Sequence, residues 1–236
     1  MMTKLKTAAA ALAACFVLAV PAQAAVITLD FEDVNATYPS GFAFVDDFYD
    51  GGTSSDGTTG TDFGIQFSDN AQAICLNSTS VFCSNTSRGG IGNPNSQEGG
   101  LFFLSGAETF MNVAAGFDTG FSFFYTAISQ LGSISVYDGL NGMGNLLATL
   151  NLATTPTGSC SAYNAGFCPF VASGIGFAGT ALSVSFAGVA NQIVFDDVTF
   201  GSVTPDPISP IPLPAGGLLL LTALGGAAAL RRRKAV

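Results

Sequence analysis

Between residues 25 and 203 apolar positions recur in short alternating runs, and helical spacing is missing. The clearest runs are Val26–Phe31, Gly64–Phe67, Leu101–Leu104, Phe121–Thr126, Ser133–Tyr137, Leu146–Leu152, Ile175–Phe177, Leu182–Phe186 and Ile193–Phe200. In Leu182–Phe186 the apolar residues fall on one face and the serines on the other, as a half-buried sheet requires. Asp138-Gly139 and Asn141-Gly142 supply turn chemistry, and the Gly/Ser/Thr/Asp-rich stretch Asp46–Asp62 reads as a mobile loop. The pattern predicts an all-β fold, an antiparallel jelly-roll-like β-sandwich with a phenylalanine core, over residues 25–203. Alternating prolines make 204–210 a stiff extended linker.

Both ends break this pattern. Residues 1–24 carry Lys4 and Lys6, an apolar run Thr7–Val20 and the small-residue site Ala22-Gln23-Ala24, which predicts a helical signal peptide cut after Ala24. Leu12-Ala13-Ala14-Cys15 is a competing lipoprotein-type box, but it would leave the apolar Phe16–Val20 as the new N-terminus. At the other end Ala215–Leu230 holds no charge. A helix of that length covers roughly 24 Å at about 1.5 Å per residue, close to the ~30 Å hydrocarbon core once the prolyl stretch is added. A lone span in lipid must be helical to satisfy its own backbone. Arg231, Arg232, Arg233 and Lys234 follow at once and anchor the C-terminus on the cytoplasmic side, with the upstream domain across the membrane. A buried core helix would not end in such a cluster. The expected partners are therefore the Sec machinery, signal peptidase and the membrane itself.

Pro210, Pro212 and Pro214 hold the backbone extended ahead of the span, the form a processing enzyme's cleft can bind. Ile211, Pro212, Leu213, Pro214 and Ala215, followed by the glycine-leucine span and the terminal arginines, resemble the PEP-CTERM class of bacterial sorting tails in its Val-Pro-Leu-Pro-Ala variant, with Ile211 in place of Val. The resemblance covers 211–236. It implies recognition and removal of the tail by an exosortase, in a Gram-negative host that often makes exopolysaccharide. The resulting expectation is an inner-membrane-anchored precursor with a periplasmic domain, then a cell-surface or extracellular protein.

Charge sharpens this picture. The chain has seven Lys and Arg and no His, and only Arg88 lies outside the two ends, whereas all sixteen Asp and Glu lie between Asp30 and Asp206. So acidic a domain is no partner for nucleic acid, which needs clustered cations. Two acid clusters stand out, Asp30-Phe31-Glu32-Asp33 and Asp196-Asp197. Strict alternation places Val194, Asp196, Val198 and Phe200 on one core-like face, and a carboxylate there must be neutralised, paired or bound to metal. Ca²⁺ held by Asp30, Glu32, Asp196 and Asp197 is the expected structural cofactor, brought together by pairing of the first and last strands. The opening Asp-Phe-Glu and closing Phe-Asp-Asp-Val resemble calcium-stapled jelly rolls of the carbohydrate-binding-module and MAM type. The alternative is a set of solvated strand-end acids.

Cys75, Cys83, Cys160 and Cys168 remain after Cys15 leaves with the signal. In an oxidising compartment they allow three disulfide connectivities, and the two local pairs, 75–83 and 160–168, close the shortest loops. Each would contribute about 2–3 kcal/mol. Without His, Ser-His-Asp and Cys-His catalysis are excluded, and no Cys-x-x-Cys offers a metal site. Glycoside hydrolysis would need only two acids, Glu98 and Glu108 with an Asp, but no motif frames them. The sequence thus points to a non-enzymatic exported surface or matrix protein, structural or adhesive in envelope or biofilm. The alternative is a carbohydrate-binding module for exopolysaccharide, with Tyr38, Tyr49, Tyr125, Tyr137 and Tyr163 as stacking candidates. Asn35, Asn77 and Asn85 match a glycan-acceptor pattern that is expected by chance in a bacterium.

Overall fold

A computed structural model describes residues 26–35, 42–76, 96, 98–155 and 170–205. The signal segment 1–24, the linker from 206 onward, the sorting motif Ile211–Ala215, the apolar span, the basic tail Arg231–Lys234, Cys83, Cys160, Cys168, Tyr38, Tyr163, Asn77, Asn85 and Arg88 lie outside the described residues. Among the described residues helix is confined to two 3-10 turns, Phe48–Asp50 and Leu140–Gly142, and no helix is long and apolar enough to cross a membrane.

The described residues form twelve strands in chain order: β1 Ile27–Leu29, β2 Phe42–Phe44, β3 Ile65–Phe67, β4 Ala71–Ile74, β5 Leu101–Phe103, β6 Glu108–Phe117, β7 Gly120–Ala127, β8 Gly132–Tyr137, β9 Leu146–Leu152, β10 Val171–Gly176, β11 Ala181–Ala187 and β12 Ile193–Phe200. Every pairing between them is antiparallel. One sheet runs β10-β7-β12-β5-β4-β2, with β1 also on β12; the other runs β3-β6-β11-β8-β9.

The two sheets enclose one apolar core. Phe121, Phe123 and Phe195 from the first sheet meet Phe186 and Met111 from the second, and the Phe186 and Phe195 rings stand 4.9 Å apart, edge to face. Burying each such side chain contributes about 1.5–3 kcal/mol. A smaller cluster, Ile74, Leu76, Phe102 and Val194, lies apart from it.

Three features depart from the alternation read in the sequence. Asp46–Asp62 is a built structure: Phe48 and Tyr49 are buried, Thr53 bridges Thr59, and the Tyr49 hydroxyl accepts the Phe31 N–H at 3.0 Å. β12 carries a bulge, with Asp197 at φ 45° and its register against β7 slipping between Asp196 and Thr199. Phe195, Val198 and Phe200 consequently share the main core, while Val194 sits in the small cluster and Asp196, alternating with Phe195, follows Val194 rather than Val198 and Phe200. β6 is also bulged: Asn112 pairs with Ser183 but Phe117 pairs with Ala181, and Gly116 has φ 75°. Cys75 is half of a disulfide whose other half lies outside the described residues.

Candidate functional sites

The antiparallel pairing of β1 with β12, Leu29 opposite Val198, brings the two acid clusters into one region. Its members differ in environment. Asp30 is exposed, its Oδ1 accepting the Glu32 N–H at 3.4 Å. Phe31 turns into the core through a left-handed residue at φ 58°. Glu32 folds back so that its Oε1 accepts the N–H groups of Glu98 at 2.8 Å and Gly99 at 3.1 Å. Burial nonetheless dominates and pushes the Glu32 carboxyl up to about 7.

Asp196 and Asp197 are both buried. Ser96 Oγ lies 2.9 Å from Asp196 Oδ2 and 3.0 Å from Asp197 Oδ1, and Asp196 Oδ1 accepts the Asp197 N–H at 2.7 Å. A serine hydroxyl has one hydrogen to donate. Both contacts are satisfied in full when one carboxyl carries a proton and gives it to the serine oxygen. Burial, then repulsion from Asp197, drives the Asp196 carboxyl well above the usual carboxylate range. Among the described residues no three His, Cys, Asp or Glu side chains converge as a metal-ion cage, and Asp30 is exposed beside Glu32. Of the acids considered for hydrolysis, Glu98 belongs to this region, whereas Glu108 lies on β6 with its Oε2 accepting the Ser185 hydroxyl.

A second feature, which the sequence reading missed, lies on the outward face of the β3-β6-β11-β8-β9 sheet. It is a cleft of about 920 Å³ bounded by β3, the Ser68–Asn70 turn, the bulge of β6, and the two 3-10 turns. The bulge sends Ala114 and Ala115 outward together, and their small side chains leave the floor open. Gln66 and Asn112 are register partners across β3 and β6. Gln66 Nε2 donates to Asp50 Oδ2 at 2.7 Å. Asn112 Nδ2 donates to Asn141 Oδ1 at 2.8 Å, while the Asn141 N–H donates to Asn112 Oδ1 at 2.7 Å. Asn141 occupies φ 55°, a left-handed turn position that asparagine tolerates. Asn70 Nδ2 donates to the carbonyls of Ser105 at 2.8 Å and Glu108 at 2.9 Å. The amides are thus held in fixed directions, and Gln66, Asn70, Asn112 and Asn141 all line a cleft that Leu140 also borders. The sequence signal was an amide at the outward position of each of two strands; without the pairing register, nothing linked residue 66 to residue 112.

Of the tyrosine stacking candidates, Tyr38 and Tyr163 lie outside the described residues and Tyr137, on β8, is half-buried. Tyr49 and Tyr125 are buried, and the Tyr125 hydroxyl donates to the Ala153 carbonyl at 3.1 Å. Among the described residues Phe42 and Phe44, on the edge strand β2, are exposed aromatic rings, at 44% and 37% exposure. Asn35 is buried as well, which removes it as a glycan acceptor.

No protein-family profile matches the chain, and no curated protein matches it. Two solved structures show a distant likeness. One is a family 6 carbohydrate-binding module studied by binding sub-site dissection, 22% identical over 47% of this chain and 79% of that chain, with a TM-score of 0.29. The other is the CBM22-1–GH10 region of Clostridium thermocellum endo-1,4-beta-D-xylanase 10B complexed with xylohexaose, 12% identical over 74% of this chain, with a TM-score of 0.31. The chain spans 28% of that second structure. At such TM-scores neither likeness bears on what this sandwich binds.

Proposed function

We propose that this chain is an exported, non-catalytic surface protein whose jelly-roll-like sandwich binds glycan in the amide-lined cleft. The observation that carries the reading is the pre-set pair Gln66 and Asn112, with Asn141 and Asp50 holding them in place. Sugar hydroxyls are donors and acceptors at once, and planar amides offer both functions in one plane. Leu140, Ala114 and Ala115 give the C–H face of a ring apolar surface to lie against. A cleft of about 920 Å³ suits a short run of sugar units, since sites for small ligands run to roughly 1,000 Å³. Without histidine, Ser-His-Asp and Cys-His catalysis are excluded.

The address of the protein rests on its ends. The sorting tail 211–236 would park the precursor in the inner membrane, and exosortase processing would release the domain to the envelope or matrix. A glycan-binding module suits that setting, where exopolysaccharide is the expected ligand. Substituting Pro212 and Pro214 with Ala should leave precursor uncut in the native host; normal processing of that variant overturns the exosortase reading.

The test of the binding reading is a glycan array probed with wild-type and Asn112→Ala chains. The hydrogen bonds lost are worth about 1.4 kcal/mol, a tenfold weaker signal. A blank array for wild type overturns it.

A further inference from the structure

The charge around the cleft narrows the class of glycan. Asp50 and Asp69 line it, and none of its lining residues is basic. Asp46 stands beside this rim, close enough to Asp47 and Asp69 that both carboxylates repel its own and, after burial, help raise its pKa. Every Lys and Arg of the chain lies outside the described residues, with six of the seven in the two terminal segments. A ligand entering the cleft therefore meets acids on the side of the Asp46–Asp50 turn and amides along β3 and β6.

Resting on the glycan-binding reading above, we infer that the cleft selects sugars bearing free amino groups, such as a partly de-N-acetylated hexosamine polymer, and rejects uronic-acid polymers. The amides read hydroxyls that all these polymers share, so they confer affinity without discriminating on charge. Asp69 and Asp50 supply the discrimination. A protonated amine beside a carboxylate near a protein surface is attracted to it, and a uronate in the same place is repelled. The attraction also makes binding salt-dependent, because the cleft is open and its charges are screened over about 8–10 Å at moderate ionic strength.

The experiment is calorimetric titration of the full-length chain, in detergent, with glucosamine, N-acetylglucosamine and galacturonic acid oligomers of equal length at low and high salt. Three variants are compared with wild type. Asp69→Asn removes one rim charge. Asn112→Ala keeps the charge and removes a sugar contact. Ala114→Phe keeps the charge and fills the floor without touching a hydrogen-bonding group.

The expected result is that the amino-sugar oligomer binds at least tenfold tighter than the N-acetylated one, with the uronate undetectable. High salt and Asp69→Asn should each erase most of that preference, and Asn112→Ala and Ala114→Phe should weaken binding itself. Equal affinity for amino and N-acetylated oligomers, unmoved by Asp69→Asn, overturns the charge selectivity while leaving the glycan site standing. Amino-sugar binding that survives both Asn112→Ala and Ala114→Phe overturns it too, because the attraction is then to the acidic surface at large. Absence of binding by all three oligomers removes the glycan reading together with this one.

Discussion

Replacing Asp196 with Asn tests the description of the buried acid pair. The amide is isosteric: its oxygen can keep accepting the Asp197 N–H, and its nitrogen can donate to Ser96 Oγ as the protonated carboxyl does. The sign follows from linkage. A carboxyl whose folded pKa is raised holds its proton in the folded chain after the unfolded chain has lost it. Stability from that group is therefore complete below about pH 4 and falls as pH climbs toward the raised value. Each pH unit in that window costs about 1.4 kcal/mol per retained proton. As pH rises from 5 toward the raised value the Asn variant should therefore gain on wild type. Glu32 titrates in both proteins, so its contribution largely cancels in the difference. Thermal melts followed by circular dichroism at pH 5, 6, 7 and 8, with and without EDTA, measure it. A variant that loses stability at pH 8, together with a wild-type midpoint that drops on EDTA, would refute the proton-sharing account. Such a result would return Ca²⁺ to Asp196, Asp197 and Glu32.

Three further outcomes are expected. Phe186→Ala should cost about 3–5 kcal/mol in denaturant melts, because the ring packs fully buried against Phe121 and Phe195 and leaves a cavity between the sheets. Gly99→Ala should cost more than a typical point substitution, since its Cβ would strike the Phe31 carbonyl and the Glu32 N–H in backbone that cannot yield; the midpoint should fall well below that of Gly176→Ala, where the nearest atoms stand at ordinary contact distances of 3.5 and 3.6 Å. In the calcium-free wild type, Glu32 adds its own slope: stability should decline from about pH 4.5 to about 7, by roughly 1–2 kcal/mol once solvent screening of this partly exposed group is discounted.

The sequence was legible where its alternation was clean. β7, β8, β9, β11 and β12 follow runs that read as strands in advance, and the pairing of the first strand with the last follows from their place at the ends of the sandwich. β6 was missed because Phe110 and Met111 are adjacent apolar residues and Ala114-Ala115-Gly116 has no period, although Thr109, Met111 and Val113 face inward in strict alternation. β2 and β4 were missed because each is only three or four residues long and alternates weakly. Bulges explain the rest. One extra residue at Asp197 moved Asp196 off the expected face, and the β6 bulge opened the cleft, yet neither leaves a mark in composition. The acid pair was readable as a buried-charge problem, while its partner Ser96 was not, lying a hundred residues away.

The account's central claim is that the cleft over β3 and β6 is where this protein holds sugar. The most direct measurement is a pair of titrations with the best glycan from the array, one of the full-length chain and one of its Ala114→Phe variant at an unchanged melting temperature. Loss of at least tenfold in affinity on filling the floor is the predicted result. Unchanged affinity would place the sugar elsewhere and contradict the assignment.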